Sequence, residues 1–330
     1  MSLQWDRLYA QRVSHMRSSD IRDAFKLTED PRIVSFAGGF PGPESFPVDE
    51  VVSWFQQLAS GEAGRALQYG PAEGMSELRE LIAQRMTSQG MPADAEEILI
   101  TNGSQQALDL FSKVFLNPGD RLATENPGYA GALNVFHAYQ AEVLPVRLDE
   151  DGLVVSELEA LLQRLERSGE PLPKFVYVVP NFQNPVGATL SLERRRQLMR
   201  LAQRFGFIIL EDNPYGDLRY EGDPVPSIRA LDDGEHTFYL GSFSKVFLPG
   251  LRVGWIKGPV EVIRRLAVAK GAADLCGCTL SQWLLIRALR EGLIDRRLQA
   301  LRQFYKQRRD AMLEALETFM PEGVSWNRPQ

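Results

Sequence analysis

Cysteine and histidine are scarce in this chain. Its 330 residues include two cysteines, Cys276 and Cys278, and three histidines, His15, His137 and His236. A single C-x-C pair falls short of the four ligands of a structural zinc centre, and three scattered histidines do not complete it. No metal centre is expected. The two cysteines are expected to be small buried residues in a reducing compartment. A basic excess is missing as well. The net charge of −6 disfavours a nucleic-acid partner, because phosphate backbones are bound by basic faces. No run approaches the about 18 apolar residues of a membrane span. The start, MSLQWDRLYAQRV, carries charges where a signal peptide needs an apolar stretch. These absences point to a cytoplasmic protein that binds neither nucleic acid nor membrane.

What is present is ordinary globular composition, 44% hydrophobic and 24% charged. The length suggests about two domains and is enough for a large core with a deep cleft. Residues 1–45 are mixed and end in FAGGFPGPESFP, whose glycines and prolines cannot continue a helix. From about residue 75, strand-like and helix-like runs alternate. EILITN, RLATE, FVYVVP, FIILED and TFYLG read as strands. SQQALDLFSKVF reads as a helix, with Ala107, Leu108, Phe111, Val114 and Phe115 on one face. Ser191 is placed to cap LERRRQLMRLAQRF and Gly206 to stop it. Strands that are apolar throughout suit a sheet buried on both faces, and the alternation implies a mostly parallel sheet flanked by helices. After about residue 290 the pattern is helical.

In open parallel sheets, ligands bind just beyond the C-terminal strand ends. Polar residues collect there in this sequence. Asn102-Gly103-Ser104-Gln105 follows one strand and opens a helix, so its N–H groups could face an anion. Tyr129 follows the next and offers a flat face. Asn184, Asp212 and Tyr215 come after two more. Ser242, Ser244, Lys245 and Arg252 follow the last. Each alone has an ordinary explanation as an N-cap, a turn residue or a surface charge. Together they complement different parts of one molecule. Ser104, Ser242, Ser244 and Arg252 suit a phosphate, and Asp212 a protonated ring nitrogen. Asn184 and Tyr215 suit a phenolic oxygen, and Lys245 an aldehyde. That molecule is pyridoxal 5′-phosphate (PLP).

The segments ITNGSQQALDL, ENPGYAGAL, VPNFQNPVGATLS, LEDNPYGDLRY and LGSFSKVFLPGLRVGWI resemble the class I/II aminotransferases of PLP fold type I. The likeness spans roughly residues 35–260, and the last segment is the most specific. FAGGFPGPESFP and PNFQNPVGATLS look most like the 2-aminoadipate and kynurenine aminotransferase branch. The resemblance implies Lys245 as Schiff-base lysine and proton carrier. It implies Asp212 at the pyridine nitrogen, Asn184 and Tyr215 at the phenolic oxygen, and Tyr129 stacked on the ring. Ser104, Gln105, Ser242, Ser244 and Arg252 would hold the phosphate. Tyr69 would reach the neighbouring subunit's phosphate, which implies a homodimer. Arg22, Gly39 and Asn184 would approach the substrate.

The implied fold is α/β. Residues 1–45 form an arm and small-domain segment, residues 46–289 a large PLP-binding domain, and residues 290–330 a connecting helix and a truncated α+β small domain. The implied reaction moves an amino group from an L-amino acid (2-aminoadipate-like, aromatic or branched) to a 2-oxo acid such as 2-oxoglutarate. The alternatives are another fold-type-I reaction, such as C–S lysis or racemisation, a PLP-binding regulatory domain, or an inactive structural dimer. Family members continue beyond the point matching GVSWNRPQ, with a Gly-Gly-aromatic strand and an arginine for the substrate α-carboxylate. Arg328 lies too early to be that arginine. The expectation is therefore PLP binding with weak or no transamination.

Overall fold

A computed structural model describes residues 3–16, 32, 33, 36, 38–58 and 63–330. Among the described residues, the α-helices α1 (Val48–Leu58), α2 (Ala63–Ala66) and α3 (Ser76–Ser88) precede the sheet. Then β1 (Ile98–Thr101), α4 (Ser104–Phe115), β2 (Arg121–Asn126), α5 (Ala130–Ala138), β3 (Glu142–Asp149) and β4 (Gly152–Leu153) follow. Next come α6 (Val155–Ser168), β5 (Phe175–Val178), α7 (Leu192–Phe205), β6 (Ile208–Asp212), α8 (Ile228–Leu231), β7 (Thr237–Ser242) and β8 (Gly254–Lys257). The chain ends through α9 (Val260–Asp274), α10 (Thr279–Arg290) and the long α11 (Leu293–Phe319).

The eight strands form one sheet in the order β1-β8-β7-β6-β5-β2-β3-β4. The pairs β2/β3, β2/β5, β5/β6 and β6/β7 are parallel. β8 runs antiparallel to both β7 and β1. β1 therefore ends at the same edge as β2, β5, β6 and β7, and the loops leaving these five strands share that edge. Apolar runs without alternation have a direct cause here. In β5, Phe175 and Tyr177 join one core cluster while Val176 and Val178 join another. Successive side chains point to opposite faces, and helices cover both. Phe111 of α4 anchors the first cluster, with its ring edge-on to Phe175 and Phe238 at 5.2 Å each.

The helix face predicted over 104–115 is corrected at one position. Ala107, Leu108 and Phe111 are buried, but Val114 is exposed and Leu110 takes the inward position. Gly206 ends α7 in the left-handed conformation, whereas Ser191 occupies the N-cap without a side-chain cap bond. The cysteines also differ from expectation. Cys276 is half-buried and Cys278 exposed, because both lie in the turn joining α9 to α10, outside any core cluster. No helix among the described residues is long and apolar enough to cross a membrane.

Candidate active site

Asp212 ends β6, and its side chain is buried. The Tyr177 hydroxyl, on neighbouring β5, donates to its Oδ2 at 2.9 Å. Oδ1 is buried without a hydrogen-bond partner among the described residues. A carboxylate in such a place is unstable as an anion. Burial pushes Asp212 from 3.8 up to about 7, and the Tyr177 bond acts in the opposite direction. Glu125, at the end of β2, is buried too and pushed up to about 8, chiefly by the same desolvation. Its carboxylate accepts from Val179 N at 3.2 Å.

Lys245 sits in the turn after β7, the strand paired with β6. Phe243, Val246 and Phe247 are buried on either side of it and fix that turn to the core. Its Nζ donates to the Gly39 carbonyl at 2.8 Å and lies 5.8 Å from the centre of the Tyr215 ring. Burial, and then the Arg252 charge, hold its ammonium below the usual lysine range. Asn184 Nδ2 donates to the Tyr215 oxygen at 3.5 Å. Burial pushes the Tyr215 phenol up to about 12. Tyr129 is half-buried at the start of α5, and its hydroxyl donates to Gln105 Oε1 at 3.5 Å. Gln105 Nε2 reaches across to the Gly131 carbonyl at 2.8 Å.

The turn at Gly103 is built for close approach. Its φ of +75° favours glycine, and a Cβ there would stand 2.5 Å from Arg252 Nη2. Gly254 of β8 pairs with Thr101 on one side and Ser242 on the other. A Cβ on Gly254 would meet Gly103 C and Ser104 N at 2.8 Å. The glycine at the start of β8 thus lets the α4 N-terminus and the Ser242 turn converge. Ser242 Oγ donates to Ser244 Oγ at 2.9 Å and accepts from Ser244 N at 3.1 Å.

The structure therefore gathers Ser104, Gln105, Tyr129, Asn184, Asp212, Tyr215, Ser242, Ser244, Lys245 and Arg252 on the loops of one sheet edge, with the Gly39 carbonyl against Lys245. Tyr69 stays apart, 77% exposed. Arg22 lies outside the described residues. Sequence reasoning missed Tyr177, which looks like one more apolar residue in FVYVV. Its hydroxyl, in an otherwise hydrocarbon strand, was the available signal. It also missed that Gly254 opens a strand.

The residues present fit PLP. The orphaned Asp212 Oδ1 lacks a partner of the kind a ring N–H provides. The α4 N-terminus, where the first N–H groups lack helical partners, offers donors to a phosphate. This mostly parallel sheet with helices on both faces is the architecture shared with fold-type-I PLP aminotransferases.

Residues 36–330 match the family Aminotransferase class I and II, and the chain belongs to it. It is 43% identical to aromatic-amino-acid aminotransferase 1 of Thermococcus litoralis, over all of this chain and 79% of that protein. It superimposes with a TM-score of 0.94 on a Pyrococcus horikoshii kynurenine aminotransferase solved with PMP, at 42% identity, covering 99% of this chain and 80% of that one. A Thermus thermophilus α-aminoadipate aminotransferase, solved with N-(5′-phosphopyridoxyl)-L-leucine, gives 0.91 at 36% identity, over 99% and 80%. The chain is accordingly a PLP-dependent amino-acid aminotransferase.

Proposed function

We propose that Lys245 carries the cofactor and that the amino donor is an aromatic, 2-aminoadipate-like or branched L-amino acid, with a 2-oxo acid such as 2-oxoglutarate as acceptor. The observation that carries this reading is the pairing of Lys245 and the half-satisfied Asp212 on the ends of adjacent strands. The relatives named above act on aromatic amino acids, kynurenine and α-aminoadipate, which supports the donor class.

Bound at this edge, PLP supplies an electrophilic carbonyl and a ring that accepts the electron pair left at the substrate α-carbon. Asp212 Oδ1 would accept from the ring N–H and would stay ionised beside that positive charge. Asn184 and Tyr215 donate to the phenolic oxygen, and Tyr129 stacks on the ring. Ser104, Gln105, Ser242, Ser244 and Arg252 hold the phosphate, with Arg252 as the cation. Lys245 would hold the carbonyl through its amine, which burial keeps closer to neutral than an exposed lysine. The same amine would be placed to take a proton from the substrate α-carbon. Gly39 and Asn184 would line the substrate side, and Arg22 would pair with the side-chain carboxylate of an acidic donor.

The assembly in this reading is a cytoplasmic homodimer in which Tyr69, bare on its own subunit, reaches the neighbour's phosphate. Residues 46–289 form the cofactor-binding body, with residues 1–45 and 290–330 flanking it. Product analysis tests the reaction class. With kynurenine or phenylalanine, whatever 2-oxo product forms should not exceed one equivalent of the bound cofactor unless 2-oxoglutarate is added. Multiple turnovers without an added 2-oxo acid would point to elimination or racemisation instead.

A further inference from the structure

Behind the Gly103 turn lies a charged pair that takes no part in the chemistry above. Lys270 and Asp274 stand one turn apart on α9, and the Lys270 side chain is fully buried. Its Nζ donates to Asp274 Oδ1 at 2.8 Å and Oδ2 at 3.0 Å. An (i, i+4) pair on a helix is ordinarily a surface feature worth little. This one differs in where it sits and what it holds. Asp274 Oδ2 also accepts from Asn102 Nδ2 at 2.8 Å and from Gln106 Nε2 at 2.6 Å, both from another part of the chain. Gln106 Oε1 in turn accepts from Asn102 N at 2.8 Å. Asn102 O lies 3.4 Å from Arg252 Nη2. Asn102 and Gln106 are the two residues that bracket Gly103-Ser104-Gln105. The carboxylate thus grips the turn on both sides of Gly103-Ser104-Gln105.

We propose that Asp274, held in place by buried Lys270, is a positioning residue that preorganises the Asn102–Gln106 turn for the cofactor phosphate. The pair is bonded to the turn from behind and is not among the residues that would hold the cofactor. Its effect is to fix the N–H groups at the start of α4 before binding, so that no ordering cost is met on binding. This rests on the reading that the turn holds the phosphate. It adds that the phosphate's share of the affinity depends on a carboxylate 170 positions further along the chain.

The test compares PLP with pyridoxal, which lacks the phosphate, by titrating the apo chain and following absorbance and fluorescence quenching. Arg252→Ala serves as the reference, because loss of a direct phosphate contact should weaken PLP and spare pyridoxal. Asp274→Asn should weaken PLP about tenfold, the size of one or two lost hydrogen bonds to a charged group, and change pyridoxal less than about twofold. Gln106→Leu leaves the Lys270–Asp274 pair whole and should show a smaller loss of the same selectivity. It decides the matter if Asp274→Asn does not fold. Equal losses for PLP and pyridoxal would make the pair merely structural and overturn the proposal. So would unchanged PLP affinity in both variants while Arg252→Ala loses it selectively. If Arg252→Ala itself shows no selectivity, the phosphate reading fails first and the brace falls with it.

Discussion

The Tyr177 hydroxyl binds one oxygen of the Asp212 carboxylate at 2.9 Å and leaves the other, buried, without a partner among the described residues. That division orients the carboxylate and, in the proposed reading, would leave Oδ1 for the N–H of the cofactor ring. Tyr177→Phe removes only the oxygen. It should keep the fold and weaken PLP binding about three- to tenfold, since the bond favours the ionised carboxylate. Without that bond Asp212 titrates higher, so the pH at which PLP affinity reaches half its maximum should move up. A binding titration across pH checks both the loss and the direction.

Asp212 and Glu125 also set a pH dependence of stability in the apo chain. Both are raised in the folded state, Asp212 to about 7 and Glu125 to about 8. The folded state therefore holds more protons than the unfolded one between about pH 4 and those values. Their contribution to stability is full below the unfolded values and is lost as pH rises through 7 and 8. Thermal melts of the apo chain should show Asp212→Asn gaining on the parent as pH goes from 5 to 8. If the PLP ring N–H partners the Asp212 anion as proposed, the parent should regain that loss when PLP is bound. A gap between parent and variant that stays constant with pH would contradict this account.

Arg195 makes a separate stability prediction. It is fully buried within α7 and donates to the carbonyls of Leu190, Pro180 and Pro226 at 2.9 Å each, and to Asn181 Oδ1 at 2.8 Å. Burial lowers its guanidinium to about 10. It fastens the segment running from β5 towards Asn184. Arg195→Met leaves several buried acceptors unsatisfied and should destabilise the chain by about 3 kcal/mol. The urea midpoint should fall, and PLP affinity should fall with it as the Asn184 loop loosens.

Gly254→Ala probes the convergence at the sheet edge. The added methyl meets backbone atoms of Gly103 and Ser104 at 2.8 Å, and backbone cannot give way as a flexible side chain would. Displacement of the α4 N-terminus should weaken PLP at least about tenfold. A circular-dichroism melt distinguishes this from global unfolding, because the strand hydrogen bonds of β8 are untouched.

Much of this site was legible in the sequence, and the reason is physical. A parallel sheet brings its strand ends to one edge, so residues following FIILE and TFYLG had to be neighbours once those runs were strands. Asp212, Lys245 and Ser104 could be placed on that edge by counting. Side-chain partnerships were not legible. Tyr177 faces Asp212 because β5 and β6 pair in one register, with Tyr177 opposite Leu210, and periodicity cannot fix a register. Arg195 is one of three consecutive arginines in LERRRQL, and nothing in that run marks it as the one that turns inward to meet loop carbonyls. Cys278 looked like a small core residue, yet it lies exposed at a helix start. Val114 followed the apolar stripe of its helix and still faces outward.

Attachment of the cofactor to Lys245 is the central claim, and reduction followed by peptide mapping tests it most directly. The chain is loaded with PLP, treated with borohydride, digested and analysed by mass spectrometry. The account predicts one peptide, carrying Lys245 within GSFSKVF, heavier by the reduced phosphopyridoxyl group, and loss of visible absorbance on reduction. Lys245→Ala should show neither. Modification of a different lysine as the main product, or an unlabelled Lys245 in a yellow protein, would contradict it.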